Sequence, residues 1–226
     1  MSPTLVFDLD GTLADTAPDL VATLNVVITR EGLRAVAFED AVAMVGQGAR
    51  VLIERALAAN GVTPDAAMVD RLFDEFIAHY GAHIAVGSRL YPGVVAALDD
   101  FSARGWTLAV CTNKLEYLAV ALLEKLGLSR RFAAICGADT FCARKPDPIA
   151  LTETIRRAGG SPSAALMVGD SKTDIDTARA AGIPVVAVDF GYTPVPVSEL
   201  CPDAIISRFD ELGAAVARLR PDLAIA

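Results

Sequence analysis

The sequence is short of cysteine, of histidine and of positive charge, and each shortage closes off a class of function. Its four cysteines, Cys111, Cys136, Cys142 and Cys201, show no CxxC spacing. That argues against a disulfide framework and leaves them as reduced, small core residues in a reducing compartment. Its two histidines, His79 and His83, fall four apart on a helical stretch and would make half a zinc site, but no third ligand is nearby. Lysine and arginine number 20 against 28 acidic residues, a formal net charge of -8. A nucleic-acid binder would need a basic face, so any anionic ligand here must be met by a local positive centre. No apolar run reaches the roughly 18 to 20 residues of a membrane span, and Asp8 interrupts the N-terminal run too early for a signal peptide. The expectation is a cytoplasmic protein, monomer or homodimer, with neither membrane nor nucleic acid as partner.

Apolar residues, by contrast, are plentiful: they make up 53% of the chain, enough for a sizeable core. Leu20, Val21, Leu24, Val27 and Ile28 follow helical spacing up to Gly32, with Thr16 and Asp19 as a capping-box-like start. Val69, Leu72, Phe73, Phe76, Ile77 and Tyr80 form a second stripe, and no convincing strand interrupts the helical text before Tyr91. After Tyr91-Pro92-Gly93 the pattern changes. Helices alternate with short β-rich runs at Thr107 to Cys111, Leu166 to Val168, Val185 to Val188 and Ala204 to Ile206. Such alternation predicts an α/β fold with a Rossmann-like parallel sheet and helices on both faces. The run Leu5 to Asp8 belongs to the same sheet, so residues 1–14 and 88–226 form the core domain and residues 15–87 an inserted α-helical cap. Trp106, at the start of a strand, reads as core.

The predicted strands end in polar residues, where open α/β sheets bind ligands. The first ends in Asp8 and Asp10, two apart and therefore on one face of an extended chain. Asp10-Gly11 also suits a hairpin turn. Leu108 to Cys111 leads to Thr112-Asn113, a hydroxyl and an amide, though Thr112 also suits a helix N-cap. Leu166 to Val168 leads to Gly169-Asp170-Ser171 with Asp174 one helical turn on, and Asp170 equally suits a cap. Lys145-Pro146-Asp147-Pro148 opens a helix and brings a cation. Together these residues would make one pocket for a metal and an anion.

That ordered set resembles the motifs of the haloacid dehalogenase-like hydrolases, and the resemblance runs from end to end. Asp8-Leu9-Asp10-Gly11-Thr12 is similar to the first motif of the family, Thr112 to the second, Lys145 to the third, and Gly169-Asp170-Ser171 with Asp174 to the fourth. The helical insertion resembles the family's small α-helical cap. Val45-Gly46-Gln47-Gly48-Ala49-Arg50, Tyr91-Pro92-Gly93, Thr112-Asn113-Lys114 and Gly191-Tyr192 are most similar to phosphoglycolate phosphatases. The resemblance implies an Mg²⁺-dependent phosphatase acting on a small phosphorylated metabolite. Asp8 would be the nucleophile, forming an aspartyl phosphate. Asp10 would move the proton. Mg²⁺ would be held by Asp8, Asp170 and the backbone carbonyl of Asp10, with Asp174 directly or through a water. Thr112, Asn113 and Lys145 would bind the phosphoryl group, and Lys145 would hold Asp8 ionised.

For substrate selection, Gly46 and Gly48 let their turn approach closely, and Arg50 at the start of the next helix is positioned for a substrate carboxylate, if it is not simply a solvated arginine. Lys114 is a similar candidate from the core side. Asp10 with Asp170 separates the chain from dehalogenases, which lack the second aspartate and use no metal. A β-phosphoglucomutase-like mutase would use the same groups. A phospho-accepting receiver module shares part of the pocket but needs only about half this length and no helical insertion.

Overall fold

The computed structural model describes residues 2–223. Strand β1 (Thr4–Phe7) leads to a short strand β2 (Ala14–Asp15), four helices α1 (Ala17–Arg30), α2 (Phe38–Val42), α3 (Ala49–Ala59) and α4 (Ala66–Ala82), and a return strand β3 (Arg89–Leu90). Alternating elements follow: α5 (Val94–Ala103), β4 (Thr107–Cys111), α6 (Glu116–Lys125), β5 (Ala134–Cys136), α7 (Pro148–Arg157), β6 (Ala165–Gly169), α8 (Lys172–Ala181), β7 (Val185–Val188), β8 (Ala204–Ile206) and α9 (Leu212–Leu219).

Six of the strands pair in parallel in the order β5-β4-β1-β6-β7-β8. The chain order reverses at β1, whose neighbours are β4 and β6, and the crevice for a ligand opens beyond the carboxyl end of that strand. Alternation along the strands builds two cores. Leu5, Phe7, Leu108, Val110, Leu166 and Val168 pack on one face, while Val6, Ala109, Met167, Leu151, Ile155 and Ile175 pack on the other, under α7 and α8. Asp8 has the parity of Val6, which turns it toward the side from which α7 and α8 begin.

The inserted helices have a core of their own. Leu24, Ile28, Ile53, Leu57, Leu72 and Phe76 lie at its centre, and Leu118 of α6 joins it from the sheet domain. This apolar stripe explains why α1, α3 and α4 associate.

Several expectations need correction. The helical block is not free of strand: β2 and β3 pair antiparallel, with Ala14 opposite Leu90 and Asp15 opposite Arg89, so the insertion hangs from a two-stranded ribbon. Strand β5 was not predicted, because three residues carry no readable period. Thr16 and Asp19 do not form a capping box: Thr16 Oγ1 donates to Asp10 Oδ1 at 2.7 Å, and Asp19 accepts from Gly87 N, Ser88 N and Ser88 Oγ. Cys111 and Cys136 are buried, but Cys142 and Cys201 are exposed, so half of the cysteines are not core residues. Among the described residues, no helix is long and apolar enough to cross a membrane.

Candidate active site

Asp8 is delivered by the sheet itself. Its backbone N–H donates to Val168 O at 2.9 Å, continuing the β1–β6 ladder one residue beyond the strand. Lys145, just before α7, reaches over from the other side: its Nζ lies 2.9 Å from Asp8 Oδ1 and 2.6 Å from Asp174 Oδ1. Asp147 caps α7 by accepting from Ile149 N, as the Lys-Pro-Asp-Pro text suggests. Burial opposes the charge on Lys145, but Asp174 and Asp8 outweigh it and its pKa is raised. Lys145 pulls toward the ionised form of Asp8, as expected, but it is not the only influence on that carboxyl. Burial pushes the Asp8 carboxyl up to about 7, against the pull of Lys145 and with the repulsion of Asp174 and Asp10.

Asp170, at the end of β6, is held at both oxygens. Thr12 Oγ1 donates to Oδ1 at 2.9 Å and Tyr192 N donates to Oδ2 at 2.8 Å. Burial, then the charges of Asp174 and Asp8, raise its pKa well above the carboxylate range. Asp170 is not the helix cap. Ser171 caps α8 in a capping box with Asp174, whose Oδ2 accepts from Ser171 N and Ser171 Oγ. Asp8, Asp170 and Asp174, all buried, each present a carboxylate oxygen within 4.8 Å of the others.

Asp10 lines the same cavity as Asp8, but its carboxylate has partners outside this cluster. Its Oδ1 accepts from Thr16 Oγ1, and its Oδ2 lies 3.1 Å from Lys114 Nζ. The buried Lys114 ammonium also donates to Tyr80 OH at 3.2 Å and stands over the Tyr80 ring. Burial opposes its charge, but Asp10 and Tyr80 raise its pKa. Thr112 caps no helix, since α6 begins four residues later, and its Oγ1 accepts from Lys114 N. Asn113 spends its Nδ2 on Lys145 O, bracing the lysine loop. Gly48 sits at the start of α3, where an added Cβ would come within 3.3 Å of Asn113 O, so the cap turn does approach the core closely.

Asp8, Asp10, Thr112, Asn113 and Lys114 line one cavity of about 120 Å³, closed from the cap side by Gly48, Phe73, Ile77 and Tyr80. Arg50 lines it too, but its guanidinium is committed elsewhere: Nη1 lies 2.5 Å from Asp70 of α4, and the group stacks on Phe73. His79 and His83 stack on each other, with His79 facing Thr23 Oγ1 and His83 Nδ1 against His79 O. Trp106 is buried, as its position implied.

Two residues named in the sequence for other reasons have site contacts that sequence reasoning did not reach. Tyr192 does more than hold Asp170. Its hydroxyl accepts from Thr16 N and Ala17 N at the start of α1 and donates to Asp15 Oδ1, tying Asp170 to the start of the helical insertion. Tyr80 appeared only as one apolar position of a helical stripe; its hydroxyl was the available signal.

The sequence model described as haloacid dehalogenase-like hydrolase matches residues 5–188. A phosphoglycolate phosphatase of Mesorhizobium japonicum is 57% identical over 95% of each chain. One from Agrobacterium fabrum is 52% identical over 96% of this chain and 93% of its own. The crystal structure of a predicted phosphoglycolate phosphatase from Haemophilus somnus superposes with a TM-score of 0.87 at 30% identity, covering 93% of this chain and 96% of its own. With the motif residues gathered at the ends of β1, β4 and β6, the chain belongs to the haloacid dehalogenase-like hydrolases.

Proposed function

We propose that this chain is an Mg²⁺-dependent phosphatase that hydrolyses phosphoglycolate through a phosphoaspartate on Asp8, with residues 15–87 acting as a cap over the core of residues 1–14 and 88–226. The observation that carries this reading is the crowding of Asp8, Asp170 and Asp174 around one buried ammonium, Lys145. Three carboxylates near one lysine leave a negative site; burial first, and then the charges of neighbouring carboxylates, raise the pKa values of Asp8 and Asp170. A hard divalent cation fits those oxygen donors. Mg²⁺ would be held by Asp8, Asp170 and the backbone carbonyl of Asp10, with Asp174 in support, and would supply the charge that lets an anionic nucleophile meet an anionic phosphate.

The chain's own groups then divide the work. An Asp8 oxygen attacks phosphorus, the bond to the ester oxygen breaks, and Asp10 passes a proton to the departing alkoxide. Asp10 next takes a proton from water, whose oxygen attacks phosphorus; phosphate leaves and the Asp8 carboxylate is restored. Lys145, Thr112 and Asn113 bind the peripheral oxygens of the transferring group. The names of the two bacterial relatives support phosphoglycolate over sugar phosphates. A phosphate-release panel over two- and three-carbon phosphates, sugar phosphates and nucleotides tests it. Phosphoglycolate is expected to lead in kcat/KM by at least about tenfold. Isomerisation of β-glucose 1-phosphate in preference to phosphate release would replace the phosphatase with a mutase.

A further inference from the structure

Arg50 was the first candidate for reading the carboxylate of a substrate, but Asp70 and Phe73 already occupy its guanidinium. Arg144 also lines the cavity but is exposed to solvent. Lys145 serves Asp8 and Asp174. Lys114 is paired as well, with Asp10 and Tyr80, but unlike Arg50 it is buried in the cavity wall, beside the carboxyl that meets the leaving oxygen.

We propose that Lys114, with the Tyr80 hydroxyl beside it, is the subsite that binds the carboxylate of a two-carbon phosphate ester and selects such esters over neutral ones. This rests on the phosphatase reading above and names the residues that give it its substrate class. Asp10 shows that the Lys114 ammonium receives a carboxylate, with 3.1 Å between Nζ and Oδ2. A leaving oxygen within about 3 Å of the Asp10 carboxyl is needed for proton transfer. In a two-carbon acid the carboxylate oxygens follow that oxygen by only about 3 Å more, by ordinary bond lengths. Lys114, in contact with Asp10 itself, is therefore at the distance where the carboxylate of phosphoglycolate falls.

Tyr80 adds a donor from the other domain. Its hydroxyl is 3.2 Å from Lys114 Nζ, and its ring lies under the ammonium with the centroid at 4.4 Å. The ring is buried against Phe76 and fixes where the ammonium sits. Since Tyr80 comes from α4 and Lys114 from the core, the subsite is complete only when cap and core are together. A low-dielectric setting strengthens the pairing of ammonium with carboxylate. An uncharged hydroxymethyl group in the same place would offer Lys114 no second carboxylate beside that of Asp10.

The test compares phosphoglycolate with 2-hydroxyethyl phosphate, which differs only in having an alcohol where the acid has its carboxylate, using the Mg²⁺-loaded enzyme. Because Lys114 also touches Asp10, the readout is the ratio of kcat/KM between the two esters. Wild type is expected to prefer phosphoglycolate, and Lys114→Met to reduce that preference by roughly 10- to 100-fold, with most of the change in KM. Lys114→Arg should keep part of it. An unchanged ratio in Lys114→Met overturns the subsite and leaves Lys114 as a partner of Asp10 alone, with the phosphoglycolate reading intact. Absence of any preference in wild type overturns both. Should Lys114→Met not fold, Tyr80→Phe carries the comparison: KM for phosphoglycolate rises several-fold more than KM for the alcohol, and equal rises reject the proposal.

Discussion

Gly191 lies so close to Asp170 that a Cβ on it would sit 2.2 Å from the Asp170 Cβ. Gly11, at φ +82°, presses on the same side chain, where a Cβ would meet Asp170 Oδ2 at 2.5 Å. The carboxylate is thus clamped between two stretches of bare backbone, and its place is fixed by what those positions lack. Gly191→Ala is expected to push Asp170 out of register and weaken Mg²⁺ binding by about 10- to 100-fold. Isothermal titration with Mg²⁺ measures this directly, and an unchanged affinity would show that the clamp is dispensable.

Asp8→Asn is expected to keep the fold and lose at least about a thousandfold in turnover, because an amide is a poor nucleophile. Circular dichroism melts and single-turnover phosphate release report the two halves. Near wild-type release would remove Asp8 from its assigned role.

In the cation-free protein Asp8 and Asp170 keep protons that the unfolded chain has already released. The folded state binds more protons from the ordinary carboxylate range near pH 4 up to about 7 for Asp8, so these groups make stability fall as pH rises through that window. Asp170→Asn should flatten the decline, and saturating Mg²⁺ should abolish it. Thermal midpoints at several pH values, with chelator and with Mg²⁺, decide it; identical slopes in wild type and Asp170→Asn under chelator would contradict this account.

Tyr192→Phe removes the hydroxyl that serves Thr16 N, Ala17 N and Asp15 Oδ1. A loss of about 1–3 kcal/mol is expected, from donors left unsatisfied in a buried setting. Urea unfolding gives the magnitude, and faster amide exchange at Thr16 and Ala17 gives the location. Protection equal to wild type at both amides would refute the tie.

Arg50→Ala removes a half-exposed ion pair with Asp70 and should change stability by no more than about 1 kcal/mol. Because the guanidinium is engaged with α4, KM should shift equally for carboxylated and neutral phosphate esters. A selective rise for carboxylated substrates would return Arg50 to the role its sequence position suggested.

Much of this is legible in the sequence. Parallel strands buried on both faces write themselves as apolar runs, and each run here ends where chemistry begins, so Asp8, Thr112, Asp170 and the sheet were visible together. Lys145 was visible because Pro146 and Pro148 frame it as a helix opening. What stayed hidden depended on direction or on distant partners. Asp10 shares the parity of Asp8, yet its carboxylate turns to Thr16 and Lys114, and no periodicity reports that. Asp19 looked like part of a cap because its true partners, Gly87 and Ser88, lie far along the chain. The ribbon strands of two residues each fall below the length at which alternation means anything.

That ribbon has a consequence for how the molecule can change. All the covalent traffic between the two lobes passes through Ala14–Asp15 and Arg89–Leu90, where the strands lie side by side. Asp8, Thr112, Lys145 and Asp170, the groups proposed to handle the phosphoryl group, all lie outside the helical segment. A different helical lobe grafted between Asp15 and Arg89 would meet the same two chain ends at the same spacing, leaving phosphoryl transfer in place while replacing the Tyr80 half of the recognition surface. The helical lobe could thus be exchanged with its share of the cavity wall, while Lys114 stays behind with the sheet domain.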